Sequence, residues 1–155
     1  MPDDLLEAWH TNNRINLFLV EHISEEGMRC TLSKHGGRDV AGQLAHVHNN
    51  RVWQLQKRAK DLSEGLVVFE TKVSPSKQEL TEALTASGVA VAAFLEAVLA
   101  GEPRRRGFKK GVFTTLSYLV AHESHHRGNI LLTLKMSGHK LDQDNAYAIW
   151  DWDKM

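Results

Sequence analysis

The chain lacks most of the features that would place a sequence in a class at once. It has a single cysteine, Cys30. That excludes an intramolecular disulfide framework and suits a reducing compartment. Cys30 itself reads as an inert, partly buried thiol rather than a nucleophile. Charge of one sign is also missing: Lys+Arg and Asp+Glu both number 19, for a formal net charge of zero. A chain-wide electrostatic case for nucleic acid or an anionic membrane is therefore absent. No run of 18 consecutive apolar residues occurs, so no membrane span is expected. The opening Met1-Pro2-Asp3-Asp4 is acidic and has no apolar h-region, so no signal peptide is expected. There is no internal repeat and no low-complexity segment, and strand signals are few. These absences predict a soluble, cytoplasmic protein with no nucleic-acid or membrane partner. At 155 residues it is long enough for one domain, 1–155, with a real core, and too short for two comfortable ones.

What is present is helix. Residues 4–23 carry an apolar stripe of Leu5, Leu6, Trp9, Leu17, Val20 and Ile23, at helical spacing. His10-Thr11-Asn12-Asn13 interrupts it, and taken alone this polar patch reads as solvated surface rather than as the wall of a polar cavity. A loop bracketed by Glu26-Gly27 and Lys34-His35-Gly36-Gly37 follows, with Asp39 placed to cap a second helix over about 39–60. Residues 61–75 read as a linker in which Leu66-Val67-Val68-Phe69 packs extended against the helices. Ser76-Lys77-Gln78-Glu79 has capping-box spacing and opens a third helix to about residue 100, ended by Gly101. Glu102–Gly111 is a basic loop with Arg104-Arg105-Arg106 and Lys109-Lys110. It reads as a solvated face, the functional alternative being capture of an anionic group beside the site. A fourth helix runs from about Phe113 to Met136, closed by Ser137-Gly138. In the tail, Trp150 and Trp152 are expected to dock on the helices rather than bind ligand. Four amphipathic helices predict an all-α, antiparallel four-helix bundle with a long middle connection and a short C-terminal tail segment.

Nine histidines are many for this length, and three of them fall in His122-Glu123-Ser124-His125-His126. His122 and His126 are four apart, so they share one helical face at ~5–6 Å, within reach of one metal ion. The string is literally H-E-x-x-H, the zincin arrangement. That reading fails for want of a third ligand. The metzincin extension needs Gly at 129 and His at 132, where Asn129 and Leu132 stand, and no glutamate follows Glu123. The other source of a third ligand is the second helix, which carries His46 and His48. Two residues two apart point roughly 200° apart on a helix, so both cannot ligate one ion. The apolar face of Val40, Leu44, Val47 and Leu55 takes His48 inward and puts His46 nearly opposite. A His₃ set would leave the ion's charge uncompensated and one position open, the pattern of catalytic rather than closed structural sites. Zn²⁺ suits imidazole best by abundance, and Ni²⁺ and Fe²⁺ are compatible.

Leu44-Ala45-His46-Val47, then Tyr118-Leu119-Val120-Ala121-His122-Glu123-Ser124-His125-His126-Arg127-Gly128-Asn129, and the terminal Ile149-Trp150-Asp151-Trp152 together resemble the DinB-like (YfiT-like) metal proteins. The resemblance covers nearly the whole chain. Gly107-Phe108-Lys109 and Gly138-His139 with Leu141-Asp142 are similar to one branch of that family. The family is built of four-helix bundles. Carried over by motif, the resemblance implies one divalent metal ion, zinc or nickel before iron, on His46, His122 and His126. It favours His46 where the helical wheel favours His48. His125 then lies outside the ligand set, and Glu123 is expected to orient a ligand imidazole or to carry a proton. Relatives of this kind include metal-dependent transferases and isomerases that use low-molecular-weight thiols, such as bacillithiol S-transferases and mycothiol-dependent maleylpyruvate isomerase. The implied function is a thiol-using S-transferase acting on a small electrophilic molecule. The rivals are a metal-water hydrolase and a non-catalytic metal- or ligand-binding stress-response protein. Members are commonly dimers, so a homodimer is the implied assembly.

Overall fold

A computed structural model describes residues 2–155. The described residues form six α-helices, four of them long, and no strand. Helix α1 (Pro2–His22) opens with Asp3 and Asp4 in its first turn, where carboxylates meet the positive end of the helix dipole. A short helix α2 (Glu25–Met28), capped by the Ser24 side chain, stands where the sequence suggests only loop. Helix α3 (Val40–Arg58) starts at Asp39, whose side chain accepts from the Gly42 amide. Residues 59–76 follow as a long connection with one 3-10 turn at Lys60–Ser63. The Asn49 side chain both donates to the Phe69 carbonyl and accepts from the Phe69 amide, which pins that connection to α3. Helix α4 (Lys77–Leu99) has the expected capping box of Ser76 and Glu79. Helix α5 (Val112–Met136) carries the histidine string, and a short α6 (Gln143–Ala148) lies in the tail. Ile149 and Leu141 are the tail's buried anchors, whereas Trp150 is 74% exposed and Trp152 41%. The tail thus docks through its aliphatic side chains, not through its tryptophans as the sequence suggests.

By length and composition alone α4 could cross a membrane. Here it packs on α1 and α3, burying Leu80, Leu84, Val91, Phe94 and Leu95. Its small residues permit close approach. A Cβ at Gly88 would lie 2.4 Å from the Asn13 amide nitrogen, and the Trp9 indole donates to the Gly88 carbonyl at 2.9 Å.

The core is divided in two. One apolar cluster holds Leu19, Leu44, Leu80 and Ile130, and the other holds Trp9, Leu55, Leu95 and Leu119. Each long helix contributes to both, so its order of contribution gives its direction. Helices α1 and α5 run from the Trp9 cluster to the Leu19 cluster; α3 and α4 run the other way. Successive helices α3 and α4 therefore point in the same direction, which is why residues 59–76 must return along the length of the molecule.

Between the clusters lies a polar layer. Arg51, fully buried, donates from Nε to Glu123 Oε1 at 2.7 Å and from Nη2 to Oε2 at 2.9 Å. Its Nη1 reaches Asn13 and the Leu84 carbonyl, and its guanidinium lies 4.8 Å from the Trp9 ring centre. Asn12 and Asn16 each donate to Glu123 Oε2 at 2.7 Å. Thr11 and Asn12 of the polar patch on the first helix are thus buried, at 4% and 0% exposure. Those two positions are core rather than surface, Asn12 because a charged partner 111 residues away is aimed at it, while His10 at the head of the patch is exposed. Burial alone would raise the Glu123 pKa; the charge and hydrogen bonds of Arg51, the Arg127 charge and the Asn12 bond outweigh it and hold the carboxyl below its ordinary 4.5.

Removing one partner of a buried ion pair strands the other. Glu123→Ala is expected to lower unfolding free energy by about 3–5 kcal/mol, measured by urea denaturation at pH 7. Because the folded carboxyl titrates below the unfolded one, its contribution is fully present above the unfolded value and is lost as pH falls through the folded value. The deficit of Glu123→Ala relative to wild type should therefore shrink as the denaturation is repeated below pH about 4.

Candidate metal centre

Three side chains from two helices meet beside the polar layer. His46 comes from α3, and His122 and His126 come from successive turns of α5. Each offers a nitrogen, and these nitrogens lie within 4.8 Å of one another. The ring centres are 5.3 Å apart for His46 and His122, and 4.8 Å for each of the other pairs. His48 takes no part. It points inward as the helical wheel requires, is 1% exposed, and its Nε2 lies 2.8 Å from the Val67 carbonyl, tying α3 to the long connection. Both arguments about the second helix are thus met: the apolar face does take His48, and His46 on the other side reaches α5. His125 is exposed, with its Nε2 3.1 Å from the Asn129 amide nitrogen.

Glu123 lies 100° around α5 from His122, facing away from the cluster. Its oxygens are occupied by Arg51, Asn12 and Asn16, and no described imidazole is among its hydrogen-bond partners. Its connection to the cluster runs through the α5 backbone and through Arg51, which fixes α3 against α5 five residues from His46.

All three rings are half-buried and weakly basic. Burial is the main cause for each. In His46 the charges of Arg38 and His122 add to it, and the pKa falls to about 4. In His126 the charges of His122 and His46 add, again giving about 4. Burial also lowers His122, against the opposing pull of Glu123. These imidazoles are neutral at pH 7, the form that ligates metal. The Nδ1 atom of each ring is buried without a hydrogen bond, a state that costs about 1–3 kcal/mol per group until a partner is supplied. Three neutral imidazoles each offering a nitrogen within 4.8 Å of the others suit one cation, so the donor set fits a divalent ion. His48 also has an unpartnered Nδ1, but it belongs to no group of three potential ligands among the described residues.

Aromatic side chains stand around the cluster. Trp53 stands edge-on to His46 at 5.8 Å, and Tyr118 lies parallel to His122 at 6.1 Å. Phe108 of the basic loop packs on Tyr118 at 5.0 Å. The loop's Arg105 is held instead by Asp61 and Glu102. The basic residue whose charge reaches His46 and His126 is Arg38, from the loop before α3. Nothing in the local sequence around Arg38 marks it, since its relation to α5 exists only in the fold.

The chain is all-helical, with two histidines one turn apart on one long helix and a third on another forming a group that could hold a metal ion. The chain belongs to the DinB family, whose model it matches over residues 1–153. No curated protein and no solved structure matches it.

Alanine at His46, His122 or His126 should lower zinc affinity by more than the ~10–100-fold that loss of a supporting hydrogen bond costs. His48→Ala should leave zinc content unchanged while lowering the melting temperature, read by metal analysis and thermal unfolding. The pH dependence follows from the lowered ring values. At His46 and His126 protons should not compete with zinc until pH falls toward about 4, where ordinary imidazoles compete from ~6.5. In metal-free protein the unfolded chain takes up protons between those limits that the folded chain refuses, so stability should fall as pH drops through that window.

Proposed function

We propose that this DinB-family chain is a metal-dependent enzyme that activates a low-molecular-weight thiol for transfer to a small electrophilic molecule. In this reading the fold is a four-helix bundle with α3 and α4 co-directional, and His46, His122 and His126 hold one divalent ion. Zinc is favoured on availability, and nickel or iron fit the same ligands. The observation that carries the proposal is the convergence of three neutral, half-buried imidazoles with no carboxylate in the group.

When bound, such an ion supplies Lewis acidity, since three neutral ligands leave its charge uncompensated and a thiol at an open position ionises near neutral pH. The protein's own residues do the rest. Trp53 and Tyr118 stand against His46 and His122 and give an apolar body something to pack on. The charge of Arg38 reaches His46 and His126, which suits a thiol bearing carboxylates. Arg51 and Glu123 lock α3 against α5, so the three rings keep their geometry. Metal-water hydrolysis with Glu123 as general base is the weaker reading, because that carboxylate is buried, ion-paired and turned away. A non-catalytic binding protein is the reading from another class, and the same assay separates it.

The test is conjugation of a chromogenic electrophile by zinc-loaded protein in the presence of cysteine, glutathione, bacillithiol or mycothiol. At least one thiol should accelerate turnover, and His126→Ala should abolish the acceleration without unfolding the chain. Arg38→Ala should raise KM for an acidic thiol several-fold, leave kcat near wild type, and spare an uncharged thiol such as 2-mercaptoethanol. If no cellular thiol accelerates conjugation, the transferase reading is overturned.

A further inference from the structure

The polar layer contains one charge too many. Arg51 and Arg127 are both buried, at 0% and 8% exposure, and the charges of both act on the buried Glu123. Glu123 gives both its oxygens to Arg51. Arg127 donates no hydrogen bond to that carboxylate. Its Nη1 donates to Asn16 Oδ1 at 3.0 Å and its Nη2 to Ser124 Oγ at 2.8 Å, two neutral acceptors for a group with five donors. A buried cation with no acceptor of opposite charge in direct contact is expensive. Burial weakens the hold of Arg127 on its proton, and the more distant pull of Glu123 works against that loss.

Arg127 lines a cavity of about 130 Å³ between α1, α5 and the tail, on the other side of α5 from the histidine cluster. Its walls are apolar and aromatic, with Ile15, Leu131, Ile149, Trp150 and Trp152. An apolar cavity of ~150 Å³ is enough to admit benzene. Gly128 also lines it, in mid-helix, where glycine costs about 1 kcal/mol relative to alanine. A Cβ there would meet no atom within 4 Å. Gly128 therefore borders open space and makes no close packing contact. Trp150 is 74% exposed beside the same space, an aromatic face with no ring partner among the described residues.

We propose that this cavity is a second binding site, specific for a small carboxylate with a planar or short apolar body. The carboxylate takes the free donors of Arg127 in the paired geometry that guanidinium favours. The body lies against Trp150 and Trp152. The charge deficit of the polar layer is thereby closed from outside, with no dependence on the metal or on the thiol chemistry proposed above.

Benzoate is a suitable probe, with benzyl alcohol as its neutral counterpart, both titrated into metal-free protein. Binding is read from the indole N–H signals in a ¹⁵N–¹H spectrum. Benzoate should shift Trp150 and Trp152 saturably and leave Trp53, beside His46, unmoved; benzyl alcohol should shift none of them. Arg127→Met should weaken benzoate about tenfold or more, the worth of a charged hydrogen bond, and Trp150→Ala should weaken it several-fold. Should Arg127→Met fail to fold, Ser124→Asp serves in its place. A carboxylate at 124 becomes an internal counter-ion for Arg127, so it should raise the melting temperature and abolish benzoate binding together. A His46→Ala background should change none of these results. The proposal is overturned if benzoate gives no saturable shift, if folded Arg127→Met binds it as well as wild type, or if Trp53 alone responds.

Discussion

The ion pair between Arg51 and Glu123 is the constraint on which the rest of the molecule depends. A carboxylate and a guanidinium with no access to water persist only where every lone pair and N–H is met. Here that demand recruits Asn12, Asn13 and Asn16 from α1, the Leu84 carbonyl from α4 and the α3–α5 pair itself. The result is a layer to which all four long helices are keyed. An apolar core tolerates some sliding of one helix past another; a bidentate pair does not. The register of α3 against α5, and so the meeting of His46 with His122 and His126, is set one helical face away from the histidines.

Much of this was readable from sequence, and the rest was hidden for definite reasons. Helix limits followed from local signals: Asp39 and the Ser76–Glu79 box cap where their spacing says they should. The pair His122 and His126 followed from helical periodicity. His46 required the family motif, because a hydrophobic average over α3 rewards His48, which is indeed inward but serves the long connection. Asn12 looked solvated because polarity along one helix says nothing about a carboxylate arriving from another. Glu123 looked like chemistry because H-E-x-x-H is a one-helix string. Its work is tertiary, and only the fold shows which way it faces. Arg38 and the Arg127 cavity have no local signature at all.

The two candidate binding regions divide the labour of α5 by face. One face carries the neutral rings, the next carries the buried charges, and the third opens on the tail cavity beyond Ser124 and Gly128. Substitutions at neighbouring positions in this helix therefore act on different physics, even though the positions are adjacent in sequence. His122 and Glu123 differ in this way, as do His126 and Arg127.

The shared direction of α3 and α4 also governs how the chain finds its fold. An up-down bundle can assemble from neighbours in sequence, each helix folding back on the last. Here α1 finds its main partner in α4, with Trp9 bonded to a carbonyl 79 residues away, and the central carboxylate draws its α1 partners from 111 and 107 residues away. Contacts of such separation place the loop-closure entropy ahead of the stabilisation they bring. The chain should consequently fold slowly for a helical protein of its length, with early helices waiting on the arrival of α5.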